Sequence, residues 1–202
     1  MPRPRSLTSA QIATAALGLV DRTGLDALSM RAVATELGMG TMSLYRYVSD
    51  RNEVEALVVD LVLREGEGSV SPGPAGQRLS VLADRVRIAA STHPEVVPLL
   101  LTHRHRSPSS LRWGESVLTV LTEAGFTGRH RVIAFRSLLS YVFGALQVER
   151  HGPLAGAGTA VLAALPAEEF PILSETARQA RTLSPEQEFQ RGLDVVLRGL
   201  GL

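Results

Sequence analysis

Two short helical patterns joined by a glycine turn lie between Ser29 and Val48, and they constrain the fold of this chain more than any other feature. Ser29 is a favourable N-cap for the first helix, and Gly38 suits the left-handed backbone that ends one. Apolar residues recur on one face of that helix, namely Met30, Val33, Ala34 and Leu37. A second short helix is expected from about Thr41, with Leu44 and Val48 facing inward. Two such helices form a helix-turn-helix, whose second helix enters the major groove of DNA.

The second helix also carries a family signature. The run Leu44-Tyr45-Arg46-Tyr47-Val48, followed by Arg51 and Val54, resembles the Leu-Tyr-x-His/Tyr-Phe/Val-x-x-Lys/Arg-x-x-Leu run of TetR-family transcriptional regulators. Residues 8–66 carry this resemblance. They depart from the family pattern at Gly40, where Ser or Thr is usual, and at Val48, where Phe is commoner.

The C-terminal part of the chain resembles the same family. Residues 170–173 and 189–200 are similar to the C-terminal domain of its tetracycline-repressor-like branch. The resemblance implies an all-α fold, with an N-terminal helix-turn-helix three-helix domain and a C-terminal helical ligand-binding and dimerisation domain. We predict the DNA-binding domain at residues 1–66, including a connecting helix 4 that starts at about Arg51, and the regulatory domain at residues 75–202. A linker rich in Gly, Pro and Ser separates the two.

Composition limits the classes of protein to which the chain can belong. Hydrophobic residues make up 45% of the 202 residues and charged residues 20%, as in globular proteins. No uninterrupted apolar run approaches the ~18 residues of a membrane helix, and no signal peptide is visible. We therefore expect a cytoplasmic protein with no membrane partner. There is no cysteine, so disulfides and thiolate metal sites are excluded, and the net charge of +1 does not by itself indicate a nucleic-acid partner.

The candidates for DNA contact lie on the second helix, at its flanks and in the N-terminal arm. They are Arg3, Arg5, Ser29, Thr41, Met42, Ser43, Tyr45, Arg46, Tyr47 and Arg51. Arg46 is suited to reading guanine, and Met42 to touching a thymine methyl group. The hydroxyls of Tyr45 and Tyr47 are suited to phosphate, although Tyr45 has the alternative of packing in the core.

Four further DNA candidates lie at helix starts or in the N-terminal arm. Ser29 and Arg51 each begin a helix, where free backbone amides favour phosphate, and for Ser29 a plain N-cap is the alternative. Two prolines oppose helix around Arg3 and Arg5, so this segment is expected to be an extended arm that reaches a minor groove. A disordered tail is the alternative interpretation of the arm.

The resemblance implies a small-molecule pocket in the C-terminal domain. The candidates for it are polar or aromatic residues on otherwise apolar faces, namely His93, His103, Trp113, Arg136, Tyr141, Phe143 and Gln147. Each has an alternative as an ordinary core or surface residue, because pockets and cores share a composition. His103 also fits a polar loop between helices. No metal-ligand spacing, catalytic constellation or dinucleotide loop occurs, so we predict no metal, no cofactor and no enzymatic activity.

Together these features predict a homodimeric repressor that binds a palindromic double-stranded operator and is released by a small-molecule effector. The apolar stripes of residues 129–150 and of the last helix suit a four-helix bundle between two copies. An effector that tilts helix 4 would change the ~34 Å spacing of the recognition helices and weaken binding. The alternatives are an activator or ligand-independent regulator on the same fold, and a helical ligand-binding module without DNA binding.

Overall fold

Residues 7–202 are described in the computed structural model, and their regular structure is entirely helical, which confirms the all-α prediction. The α-helices are α1 Ser9–Thr23, α2 Met30–Glu36, α3 Thr41–Leu44, α4 Arg51–Glu65, α5 Ala75–Thr92, α6 Val97–His103, α7 Pro108–Glu123, α8 Gly128–His151, α9 Ala157–Ala163, α10 Pro171–Ala180 and α11 Pro185–Gly199. Short 3-10 turns occupy Leu25–Ala27, Pro94–Val96 and Arg104–Arg106.

These helices form two compact units, which are described separately. The first unit comprises the chain up to Val70 together with Arg85–Val117, and the second comprises Ser71–Asp84 and Leu118–Leu202. This division does not follow the predicted linker, because residues 85–117 group with the N-terminal residues. The domain boundaries at residues 66 and 75 therefore stay a prediction.

Side-chain and glycine caps set the ends of the first helices as the sequence suggests. Thr8 and Gln11 form a reciprocal capping box at the start of α1, and the Ser29 hydroxyl accepts a hydrogen bond from the Ala32 amide at 3.1 Å. Gly38 follows α2 with a φ of +67°, a backbone conformation that a side chain disfavours. The chain can therefore turn sharply into α3, which positions the second helix of the motif.

The core of the first unit holds α4 in place between α1 and α6, both of which it contacts. Val54, Val58 and Val62 of α4 are at most 1% exposed, as are Ile12 and Val20 of α1. Each such side chain contributes about 1.5–3 kcal/mol by leaving water. These aliphatic side chains join α1 to α4, and α4 links the helix-turn-helix to α6.

A buried carboxylate fixes α4 to the segment that follows α6. Asp60 is only 6% exposed, and its Oδ1 accepts hydrogen bonds from the Ser107 hydroxyl at 3.0 Å and from the Ser109 amide at 2.7 Å. Its Oδ2 pairs with Arg64 at 2.6 Å. Burial alone would raise the pKa of Asp60, but the hydrogen bonds from Ser109, Arg64 and Ser107 outweigh burial and hold that pKa below its ordinary value of 3.8.

This lowered pKa predicts a pH dependence of stability. A carboxyl group with a lowered folded-state pKa stabilises the fold above its unfolded pKa, and the contribution is lost as pH falls through the folded pKa. The free energy of unfolding of Asp60→Asn, measured by urea denaturation, is expected to lie below that of the wild type near neutral pH. The difference should narrow between about pH 5 and pH 3. A difference that is constant over this range would contradict the assignment.

In the second unit, α8 packs against α11 through an aromatic contact. The Tyr141 ring lies 5.6 Å from the Phe189 ring, and its hydroxyl donates to the Phe189 carbonyl at 2.6 Å. Burial raises the pKa of Tyr141, and the nearby Glu188 charge adds to the effect. Gly192 makes room for this tyrosine, since a Cβ at position 192 would lie 2.3 Å from the Tyr141 hydroxyl oxygen.

Substituting Gly192 by alanine is expected to destabilise the chain by about 1–3 kcal/mol, because the tyrosine ring is held by its hydrogen bond and must shift. Gly199→Ala is the matched control in the same helix, since a Cβ there would meet nothing within 4 Å. Chemical denaturation of the two variants and the wild type measures the effect. Equal stability of Gly192→Ala and Gly199→Ala would contradict the close contact.

Helix α8 leaves much of its apolar surface uncovered. Among residues 7–202 it is the one helix long and apolar enough to span a membrane by length and composition, with a mean hydropathy of 1.3. A single such helix is weak evidence for a span, because core helices pass the same test. Only 33% of its most apolar 18-residue stretch is buried within the described part of the chain. Ile133 and Val148 are 62% and 52% exposed.

The exposed face of α8 is opposite its buried face. Ile133, Ser137, Gly144 and Val148 follow one another at helical spacing on this side. A Cβ at Gly144 would meet nothing within 4 Å, so the face is open at its centre. Small side chains between two larger apolar ones let another helix approach closely.

Candidate nucleic-acid interface

Helix α3 presents its polar side to solvent because two apolar side chains anchor the other side. Leu44 and Val48 are 0% and 2% exposed, as the sequence predicts, although the helix ends at Leu44 and a turn over residues 45–47 leads to Val48. Met42 is 80% exposed, whereas Tyr45 and Tyr47 are 46% and 41% exposed. Tyr45 therefore does not take the alternative of a core residue, and its hydroxyl is available to a partner.

The polar side chains of this surface are unpaired within residues 7–202. In the described part of the structure, Thr41, Ser43, Tyr45, Arg46 and Tyr47 make no side-chain hydrogen bond or ion pair. Four of these five side chains are exposed and Thr41 is half-buried, and unpaired donors and acceptors on α3 and the turn after it suit an external polar partner. Hydrogen bonds to base edges and phosphates require these groups.

The flanks of α3 carry the two predicted helix-start contacts. Ser29 is exposed and serves as the N-cap of α2. Arg51 is the first residue of α4, and its side chain is 45% exposed. At this helix start, however, Asp50 already accepts from the Glu53 amide at 2.8 Å. A phosphate contact here would therefore rest on the Arg51 guanidinium more than on free amides. Arg3 and Arg5 lie outside the described residues.

One buried residue next to this surface was missed by sequence reasoning. Glu55 is only 7% exposed, although a charged residue on an amphipathic helix is expected to face solvent. Its carboxylate lies 2.6 Å from Arg51 Nε and 2.7 Å from His103 Nε2. The arginine four residues away is visible as a helical pair in the sequence, whereas the histidine partner is 48 residues away.

The predicted ligand residues divide between the two units. His93, His103 and Trp113 belong to the first unit, and Arg136, Tyr141, Phe143 and Gln147 belong to the second. His93 Nδ1 lies 2.9 Å from Asp21 Oδ2. His103 is buried at the end of α6, so its interpretation as a polar loop residue is wrong.

The remaining ligand candidates differ in exposure. Arg136 is exposed, Phe143 is buried, and Trp113, Tyr141 and Gln147 are intermediate. A groove in the second unit, lined by residues such as Gln77, Val81 and Leu197, contains none of the candidates. Residues 7–202 contain no group of three or more His, Asp or Glu side chains that could hold a metal ion. The ligand-binding assignments stay predictions.

The chain matches known proteins over nearly its whole length. Residues 73–201 match the family model of the tetracyclin repressor-like C-terminal domain. A relative is the HTH-type transcriptional repressor DrrR1 of Streptomyces coeruleorubidus, which is 31% identical over 98% of this chain and 78% of that protein. The relatives are transcriptional regulators.

Solved structures agree with this assignment. Apo ActR from Streptomyces coelicolor has a TM-score of 0.82 and 29% identity, covering 98% of this chain and 96% of that chain. ActR in complex with actinorhodin has a TM-score of 0.82, 28% identity and the same coverage of both chains. With its helix-turn-helix, its all-helical C-terminal part and relatives that span both, the chain belongs to the TetR family of DNA-binding transcriptional regulators.

Proposed function

We propose that the protein is a homodimeric repressor that binds a palindromic operator through α3 and leaves it when a small-molecule effector binds. The observation that carries this proposal is the unpaired polar surface of α3, held outward by buried Leu44 and Val48. A regulator of this kind acts in the cytoplasm, where its operator lies, and needs neither a membrane nor a metal for DNA binding.

Each polar or exposed side chain of α3 and of the turn Tyr45–Tyr47 has a distinct role in this proposal. Arg46 donates two hydrogen bonds to a guanine, and Met42 packs against a thymine methyl group. The hydroxyls of Thr41, Ser43, Tyr45 and Tyr47 bind phosphate or base edges. Flanking phosphate contacts come from Ser29 and Arg51, while Arg3 and Arg5 follow the minor groove.

The uncovered faces of α8 and α11 support a dimer. Ile133 and Val148 of α8 are mostly exposed, and so is Val195 of α11 at 61%. Val195 lies on the side of α11 opposite the buried Leu193. Two copies that pair these faces bury them in a four-helix bundle, and two-fold symmetry then presents two recognition helices to a palindrome.

The effector is proposed from the relatives. ActR has been solved with actinorhodin and with (S)-DNPA, so a small organic molecule is the class of effector to test first. Binding that favours a different tilt of α4 would move the recognition helices away from their ~34 Å spacing. A coupling of about 1–3 kcal/mol changes operator affinity about 5–150-fold.

A reporter experiment tests the proposal. Fragments of the source genome that the purified protein retains are placed upstream of a reporter gene, with and without the protein expressed and with actinorhodin as the first added compound. A repressor lowers reporter output, and an effector restores it. Increased output would indicate an activator instead, and unchanged output with fragments that bind in vitro would contradict regulation from these sites.

A further inference from the structure

We infer that Glu55 and His103 are positioning residues for DNA binding, because together they hold the Arg51 guanidinium in the orientation in which it meets a phosphate. The inference rests on the proposed function, since Arg51 is taken there as a phosphate contact. It adds two residues that lie behind the DNA surface, one of them at the end of α6.

The three side chains form a continuous chain of hydrogen bonds. Arg51 Nε donates to Glu55 Oε1 at 2.6 Å, and Glu55 Oε2 lies 2.7 Å from His103 Nε2. Glu55 is 7% exposed and His103 is 3% exposed. A carboxylate only accepts hydrogen bonds, so the protonated Nε2 of His103 is assigned as the donor of the hydrogen bond to Glu55. Each oxygen of the buried carboxylate thus has one partner.

These bonds fix one edge of the guanidinium and leave the other edge open. A second bond runs from Arg51 Nη2 to the Leu25 carbonyl at 3.3 Å, in the turn between α1 and α2. Arg51 Nη1 has no partner in the described part of the chain, and the side chain is 45% exposed. A planar group held at two donors presents its remaining donors in one direction, as a bidentate phosphate contact requires.

The hydrogen bond to Glu55 is the one polar contact of the His103 side chain within residues 7–202. Its Nδ1 is buried and has no hydrogen-bond partner among residues 7–202. A buried ring nitrogen without a partner is costly, and an aliphatic side chain would avoid that cost. The bond that the other nitrogen gives to Glu55 is the interaction that a leucine at this position could not replace.

A second carboxylate on α4 provides a natural comparison. Asp60 is also buried, pairs with an arginine four residues later and accepts hydrogen bonds from residues beyond α6. Its arginine, Arg64, lies in the last turn of α4, far along the helix from Arg51. Both carboxylates anchor α4 to the α6–α7 segment, but only Glu55 also orients an arginine beside α3.

The test measures how operator affinity depends on salt, using the palindromic duplex recovered from a random-sequence pool. Each phosphate contact contributes about 0.9 to the slope of log affinity against log salt. Arg51→Ala is expected to reduce the slope by about 0.9 per protomer and to weaken binding about tenfold near physiological salt. Glu55→Met and His103→Leu are each expected to cause at least half of that reduction.

Two further variants separate positioning from stability. His103→Gln keeps an N–H that can reach Glu55, so it should retain a slope close to that of the wild type. Asp60→Leu removes the comparable anchor of α4 and should leave the slope unchanged, although it lowers the unfolding temperature. Adding Glu55→Met to Arg51→Ala should not reduce the slope further, because both act on one contact.

The outcomes distinguish this inference from the proposed function. If Arg51→Ala lowers the slope but Glu55→Met and His103→Leu leave it at the wild-type value, the positioning role is wrong and the DNA contact stands. If Asp60→Leu reduces the slope as much as Glu55→Met does, the positioning role is also wrong. Any loosening of α4 would then be enough to weaken the phosphate contact. If no duplex is bound, or Arg51→Ala leaves the slope unchanged, the phosphate contact and the positioning role both fail.

Discussion

Replacing Val195 by glutamate is expected to convert the protein into a monomer that binds a palindromic duplex at least about 100-fold more weakly. Val195 is 61% exposed on the outer face of α11, where the proposed bundle would cover it. A carboxylate buried there without a partner opposes association strongly. Loss of the dimer then removes the gain in DNA affinity that comes from linking two binding sites, which is typically 10²–10⁴-fold.

Sedimentation velocity and fluorescence anisotropy with a labelled duplex measure the two parts of this prediction. Ile133→Glu on the exposed face of α8 should behave in the same way. Val161→Glu is the matched control, because Val161 is equally exposed at 65% but lies on α9. A Val195→Glu protein that remains dimeric, or a Val161→Glu protein that becomes monomeric, would show that a different surface forms the dimer.

Arg46→Ala is expected to produce the next largest loss, and the loss should depend on sequence. A bidentate arginine–guanine contact is worth about 1–3 kcal/mol of discrimination, or about 5–150-fold for each half-site. Arg46 is exposed in the turn that follows α3, and its guanidinium has no partner in the described part of the chain. Its removal costs no internal bond, so the fold and the dimer should be unaffected.

Competition with duplexes that carry each base at each half-site position checks this expectation. Selectivity should be lost mainly at one position, whereas affinity for unrelated DNA changes little. Arg22→Ala removes the same charge from α1, where Arg22 pairs with Glu36 at 2.8 Å, and should leave base selectivity intact. Uniform weakening across all duplexes by Arg46→Ala would instead indicate a phosphate contact.

Local sequence signals were sufficient for much of this architecture. Helix α5 ends at Thr92, directly before the His93-Pro94 pair, because a residue that precedes proline is disfavoured in a helix. The outward face of α3 followed from the spacing of Leu44 and Val48 alone. In each case the determining residues lie within one or two helical turns of each other, where helical periodicity applies.

Contacts between distant parts of the chain could not be predicted in this way. Helical spacing places Glu55 four residues from Arg51, but nothing local indicates that His103 closes over it and buries it. The fit of Tyr141 against Gly192 is equally non-local, and it gives a residue predicted to bind ligand a packing role between α8 and α11. Periodicity identifies which face of a helix is apolar, whereas the identity of the partner across the interface depends on tertiary packing.

Selection of the purified protein against a random pool of DNA duplexes is the direct test of operator binding by a dimer. We expect the enriched sequences to share a palindrome, with half-sites centred about one helical turn, ~34 Å, apart. Such a result would establish specific binding and two-fold symmetry in one measurement. Enrichment of a single unrepeated half-site would contradict the dimer. Absence of enrichment at low as well as physiological salt would contradict operator binding by the unliganded protein.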